Sequence, residues 1–200
     1  MIAVADLAEA AEELDDRYGL VSIEGGRHPG WGTANRIVPL GESYLELIAV
    51  VDQEEAARSA FGRWISHAEP GQPLGWAVRT RELDAVARRL GLSADAGSRV
   101  APDGTLLQWR SAGKDKAVAE PSLPFFIEWG PNTKRPGRSG PVNARLDQLV
   151  LTGDASPLAS WLGEHALPIV VRPGTPAVAA VVLTGAGSEI VLGDPYAVRP

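Results

Sequence analysis

Two glutamates interrupt apolar segments of the sequence, and acids in such positions are candidates for proton transfer. Glu46 lies in the otherwise apolar segment 44–51, and Glu128 lies in the segment 123–129. An ionised carboxylate left bare in an apolar setting is costly, so each acid must be paired, hydrogen-bonded or protonated. Either each acid is a functional carboxylate in a cleft, or it is a buried acid neutralised by an arginine. If the two face each other, they would raise each other's pKa and divide the acid and base roles.

Five further residues have side chains suited to binding a small ligand. His28 lies in a loop rich in Gly and Pro, where it would carry a proton or hold the turn. Asn35 would orient a ligand carbonyl or cap a neighbouring backbone group. Trp31 and Trp76 would form flat apolar walls, unless they pack in the core. Arg79 would bind a substrate carboxylate, or pair with one of the two glutamates.

Composition excludes several classes of protein and of mechanism. The 200 residues include 25 acidic and 19 basic side chains, a net charge of −6 that argues against nucleic-acid binding. Cysteine is absent, which excludes disulfides, cysteine-ligated zinc and a thiol nucleophile. Acids near the start argue against a signal peptide, and the apolar run 177–183 is too short to span a membrane. We therefore expect a cytoplasmic protein that contacts no membrane.

Helical and strand patterns alternate along the chain. Amphipathic helical patterns begin at Asp6, Asp52, Thr80 and Ser156. Short apolar runs bounded by Gly and Pro fill the gaps and predict strands. The predicted strands are 19–24, 33–40, 43–51, 75–79, 105–111, 123–129, 146–152, 168–172, 178–184 and 189–192, with a weaker one at 98–101.

The same order of elements, βαβββ, is predicted three times. This repetition predicts an α+β protein built from repeated βαβββ modules. The segment 130–142 is rich in Gly, Pro and basic residues and predicts a boundary. We expect paired modules over residues 1–142 and a third βαβββ-like module over residues 143–200, packed on the first unit.

Three stretches of the sequence carry a resemblance to a known family. They are Gly26–Arg36, with the sequence GRHPGWGTANR, Tyr44–Ala49 and Leu123–Trp129. In these stretches the chain resembles the glyoxalase-like domain family of the vicinal-oxygen-chelate superfamily, whose unit is the βαβββ module. The resemblance implies a mixed sheet curled into an open cup, with helices outside and the ligand site inside.

The resemblance also implies a metal site, which this sequence matches only in part. Members of the superfamily take a His or Gln from the first strand of each module and a Glu from the last. Glu46 and Glu128 match the two glutamates, but the first nitrogen position falls before Met1 and the second is Gly75. The two carboxylates are therefore weak metal candidates, suited to a hard cation such as Mg²⁺ or Mn²⁺. Apart from this divalent metal, no cofactor is predicted.

Three hypotheses follow for the function. The first is a lyase-type or isomerase-type enzyme acting on a small organic carbonyl compound, with Glu46, Glu128 and His28 as catalytic candidates. Trp31, Asn35, Trp76 and Arg79 would then bind the ligand. The alternative is a non-catalytic protein that sequesters a small molecule in the same cup. In the third, the odd module completes a cup by pairing within a homodimer.

Overall fold

Three four-stranded mixed sheets form the framework of the computed structural model, which describes residues 1–131, 133 and 135–198. None of the sheets closes into a barrel, and six α-helices accompany them within the described residues. The α+β fold class predicted from the sequence is thereby confirmed. Across the same residues, no helix has both the length and the apolar character that crossing a bilayer requires.

The elements of the first sheet and its helix are β1 (Ile2–Ala3), α1 (Leu7–Tyr18), β2 (Ile23–His28), β3 (Thr33–Leu40) and β4 (Ser43–Val50). The strand order is β1-β4-β3-β2, with β1 parallel to β4 and the other pairs antiparallel. Asp6 starts α1 by accepting hydrogen bonds from two backbone amides, and Gly19 ends α1 in a left-handed conformation.

The connection to the second sheet and the sheet itself comprise α2 (Gln53–Arg58), α3 (Ala60–Ser66), β5 (Ala77–Arg79), α4 (Leu83–Leu90), β6 (Ala94–Val100), β7 (Leu106–Ala112), α5 (Lys114–Ala119) and β8 (Phe125–Trp129). The second sheet repeats the order of the first as β5-β8-β7-β6, again with the first strand parallel to the last. The single helix predicted from Asp52 is in fact the two helices α2 and α3, because Ser59 is extended and its hydroxyl caps α3.

The third sheet keeps the predicted order of elements but pairs its strands differently. The elements are β9 (Ala144–Thr152), α6 (Ala155–Leu162), β10 (Ile169–Arg172), β11 (Ala177–Gly185) and β12 (Ser188–Gly193), and a short 3₁₀ helix, Pro136–Arg138, precedes them. The strand order is β10-β9-β11-β12, so the first strand lies between the second and third instead of beside the last.

The largest apolar cluster joins the first and third sheets. Leu47 of β4, Leu151 of β9 and Leu183 of β11 are all within it and almost inaccessible to solvent. A smaller cluster packs Leu83 of α4 against Phe126 of β8, so α4 covers one face of the second sheet. The opposite face of the second sheet is left to meet the first sheet, and the candidate site lies between them.

Candidate functional site

The first two sheets face each other across a cavity of about 50 Å³, which we call the cup. Directly paired residues of antiparallel strands share a face, so register decides which side chains enter it. Its polar lining comes from both sheets and from the start of α5. These polar residues are His28, Asn35, Tyr44, Glu46, Arg99, Ser111 and Lys114.

Glu46 is half-buried in the cup and is oriented by a neighbour on β3. The Asn35 side-chain amide donates a hydrogen bond of 2.5 Å to the Glu46 Oε1 atom. Asn35 is itself buried, so it holds this carboxylate from the protein side. Glu46 and Asn35, both candidates from the sequence, therefore lie side by side in the cup.

Arg99 of β6 is the buried cation of the cup. Only 7% of its surface is exposed, and its Nη1 atom has no hydrogen-bond partner among the described residues. Burial lowers the pKa of Arg99, whereas the charges of Glu46 and Tyr44 act to raise it. The Oγ atom of Ser111 on β7 is likewise buried without a partner in the described part of the chain. Buried donors without partners are unusual, and here they line a cavity that a ligand oxygen would complete.

A glycine pair in β2, Gly25 and Gly26, makes room for the side chains of Asn35 and Arg99. The register of β2 against β3 shifts between Glu24 and Gly26, leaving Gly25 as the extra residue of a bulge. A Cβ atom on Gly25 would lie 1.9 Å from the Asn35 Oδ1 atom. Gly26 has a φ of +142° and lies against the Arg99 guanidinium. Small residues at both positions let the asparagine and the arginine approach the same strand.

His28 and Trp31 occupy the end of the cup next to β2. The His28 Nδ1 atom lies 3.0 Å from the Thr33 Oγ1 atom, and its ring is 5.5 Å from that of Trp31. Burial lowers the pKa of His28, so its ring is neutral at pH 7. The Lys114 Nζ atom lies 4.6 Å from the centre of the Trp31 ring, and burial lowers its pKa as well.

Glu128 points away from the cup. Side chains alternate along β8, and Ile127 is the residue that faces the cavity. Glu128 lies on the outer face, where its carboxylate accepts a hydrogen bond from the Leu83 backbone at the start of α4 and pairs with Arg110. The structure therefore does not bring Glu128 and Glu46 together, and Glu128 has the surroundings of a helix cap.

Trp76 and Arg79 line a second, larger cavity of about 470 Å³, which we call the groove. The Trp76 indole donates a hydrogen bond to the Ser122 carbonyl, and the Arg79 guanidinium pairs with Glu42 and with neither predicted glutamate. Glu46 lines both cavities, so the groove adjoins the cup at this carboxylate.

The residues of the cup do not fit the divalent metal that the family resemblance implies. Among the described residues, no group of three or more His, Cys, Asp or Glu side chains is placed to hold an ion. Glu46 has one oxygen engaged by Asn35 and interacts electrostatically with the cation of Arg99, while Glu128 lies on the other face of its sheet. A buried guanidinium opposes a second cation, so the donor set favours an anionic or carbonyl oxygen.

Arg99, Ser111 and Lys114 were not among the residues predicted from the sequence. The strand that carries Arg99 has the sequence ADAGSRV, which lacks the alternation that assigns faces. Ser111 does alternate with Trp109, which lines the cup, and that spacing was an available signal. For Lys114 the sequence offers no comparable signal.

Comparison with known proteins places this geometry in a family. The model of the glyoxalase-like domain family matches residues 1–166. No protein of curated function is significantly similar in sequence. A hypothetical protein from Staphylococcus aureus has a similar structure, with a TM-score of 0.65 at 17% identity over 88% of both chains. Methylmalonyl-CoA epimerase from Mycobacterium tuberculosis gives a TM-score of 0.43 at 24% identity, covering 64% of this chain and 82% of the epimerase.

Proposed function

Because the chain belongs to the glyoxalase-like domain family, as the sequence resemblance predicted, we propose that it is an isomerase-type enzyme acting on a small carbonyl compound. The observation that carries this proposal is the cup, where an oriented carboxylate lies among buried donors that lack partners. Glu46 is the base in this proposal, and Arg99 and Ser111 bind the carbonyl oxygen.

The proposed step is removal of a proton from the carbon next to the carbonyl. The C–H bond breaks and the proton passes to Glu46. The electron pair of that bond forms a carbon–carbon double bond, and the π pair of the carbonyl group moves to its oxygen. Arg99 and Ser111 stabilise the negative charge on that oxygen, since fixed donors in a site with little water lower such barriers most. Return of the proton to another position or face then isomerises the substrate.

Asn35 and His28 support this step without taking the first proton. The hydrogen bond from Asn35 fixes the carboxylate of Glu46 and leaves its second oxygen to act as base. Neutral His28 is suited to exchanging a proton with the product oxygen. Trp31 closes the same end of the cup with an apolar wall.

Deuterium exchange tests the proposal without knowledge of the substrate. A panel of ketones, 2-oxo acids and acyl thioesters is incubated in D₂O with the protein, and loss of the α-proton is followed by NMR. We expect exchange in at least one compound, and a loss of about a hundredfold or more in Glu46→Gln, the range for general-base catalysis. Glu128→Gln is the matched control and should retain exchange, because that carboxylate faces α4.

Two results would overturn the proposal. Exchange that persists in Glu46→Gln would remove Glu46 from the role of base. If no compound exchanges while members of the panel still bind in the cup, the chain is a protein that sequesters its ligand, which is the alternative left open by the sequence.

A further inference from the structure

The groove is the larger of the two cavities described above and is lined mainly by apolar side chains. Its volume of about 470 Å³ lies within the range usual for small-molecule sites. One wall comes from the first two sheets, including Trp76 and Phe125, and the other from the third sheet, including Leu146, Val178 and Val181. A ligand that fills it must therefore present apolar surface.

The rim of the groove carries more positive than negative charge. Arg79 and Arg135 both pair with the single carboxylate of Glu42, at 3.3 and 3.2 Å, and all three residues line the groove. Arg138 also pairs with Glu42, so three guanidinium groups share one carboxylate. These groups are partly exposed, and each such pair alone stabilises the fold little. An incoming anion would complete the charge balance at this rim.

Backbone contacts hold the segment 135–138, which carries the rim residue Arg135, against the β3–β4 turn. The Gly41 backbone amide donates a hydrogen bond to the Gly137 carbonyl at 2.9 Å. A Cβ atom on Gly137 would lie 2.2 Å from the Ser43 carbonyl oxygen, so only glycine allows the two backbones to approach this closely. The rim is thus fixed to the same hairpin that carries Glu46.

We propose that the groove binds an apolar chain ending in an anionic group, with the anion at Arg79 and Arg135. Glu46 marks the place where the groove adjoins the cup, whereas Arg79 and Arg135 line the groove at its partly exposed rim. The ligand therefore has a fixed direction, with its anionic end at the rim and its other end directed to the cup. That the other end carries the reacting carbonyl rests on the proposed function; binding in the groove does not.

Titration calorimetry with defined amphiphiles tests the proposal. Decanoate and decyl phosphate share the chain and differ in the anion, butyrate lacks most of the chain, and decyltrimethylammonium reverses the charge. We expect saturable binding of decanoate or decyl phosphate, binding at least about tenfold weaker for butyrate, and none for decyltrimethylammonium. The tighter of the two anions identifies the head group.

Variants separate the rim from the chain site. Replacing Arg79 and Arg135 together by Gln should weaken binding of the anionic amphiphile at least about tenfold. Replacing Arg58 and Arg88 by Gln removes the same charge outside both cavities and should leave binding unchanged.

Filling the groove tests the chain site directly. Leu146→Trp should abolish binding, because Leu146 is half-buried in the groove wall. Leu106→Trp makes the same substitution at an exposed position of β7 and is the matched control.

The outcomes distinguish this proposal from the proposed function. Glu46→Gln should keep binding of the anionic amphiphile, whether or not it loses exchange. Failure of both decanoate and decyl phosphate to bind overturns the groove proposal, even where exchange is observed. Equal binding of decyltrimethylammonium, or full binding by Leu146→Trp, also overturns it. Binding of an anionic amphiphile without any exchange would support the groove proposal and contradict the proposed enzymatic function.

Discussion

Replacing Arg99 by Met should abolish activity while leaving the protein as stable as before or more so. The guanidinium is buried and its Nη1 atom lacks a hydrogen-bond partner among the described residues, so the native fold keeps a desolvated charge that it does not fully satisfy. Met has a similar length and no polar atom, so it removes this desolvation without opening a large cavity.

The expected change in the free energy of unfolding follows from two opposing contributions. An unsatisfied buried donor costs about 1–3 kcal/mol, and this cost disappears in the variant. The attraction between Arg99 and Glu46 is lost, but Glu46 is only half-buried and keeps its hydrogen bond from Asn35. Removing one partner of a fully buried ion pair costs about 3–5 kcal/mol, but Glu46 is half-buried and remains hydrogen-bonded, so this cost does not apply in full. For this variant, which keeps Glu46, we expect unfolding to cost about 0–1 kcal/mol more than in the wild type, raising the Tm by up to about 2–4 °C.

Urea unfolding gives the free energy, and exchange in D₂O gives the activity. Exchange should fall by about a hundredfold or more, the usual effect of removing one donor to a developing oxyanion. Arg88→Met, at an exposed position of α4, should change stability by no more than about 0.5 kcal/mol and leave exchange intact. If Arg99→Met lowers the free energy of unfolding by more than about 2 kcal/mol, Arg99 is a structural residue and the reasoning about its unpaired donor is wrong.

Three further changes test the fold and the site. Burial lowers the pKa of His28 below its ordinary value of 6.5. As the pH drops through 6.5, the unfolded chain therefore binds more protons at this residue than the folded chain does, and the free energy of unfolding should fall. His28→Gln should reduce this slope in urea titrations at several pH values, whereas His67→Gln, at an exposed position, should not. Leu183→Ala, in the fully buried core, should cost about 2–5 kcal/mol in thermal or urea unfolding. Leu106→Ala should change it by no more than about 0.5 kcal/mol, and a similar loss in both variants would contradict the core assignment. Gly25→Ala should cost about 1–3 kcal/mol, because its Cβ collides with a buried amide, and a neutral effect would show that the bulge is not required.

The fold was predictable where apolar alternation and turn residues agree. Strands β3 and β4 match the predicted ranges closely, since both are long, apolar and joined by a turn that begins with Gly41. The predicted strand at 19–24 was placed too early. Gly19 is the left-handed cap of α1, and β2 extends through a glycine bulge to His28, which was predicted to lie in a loop. Helix α5 was missed because its six residues carry no apolar stripe.

The residues of the site were predictable only where the sequence reveals which face of a strand lines the cup. Glu46 and Asn35 lie on strands whose ends were known, so alternation placed them on one face. Alternation along β8 puts Glu128 on the same face as Phe126, but the sequence does not reveal that α4 covers that face. Arg99 escaped notice because the partner of a weak strand must be known before its register assigns any side chain.

The third sheet changes how the candidate site is understood. Sequence composition predicts a boundary at 142/143, yet the groove is lined from both sides of it, by Trp76 and Arg79 on one side and by Leu146 and Val178 on the other. The largest apolar cluster also spans this boundary, so separating the two parts would expose a continuous core. The small cup holds the polar groups suited to chemistry, and the third sheet supplies the apolar wall that a longer ligand needs. Because Glu46 lines both spaces, a ligand held in the groove would meet the proposed base where the groove adjoins the cup.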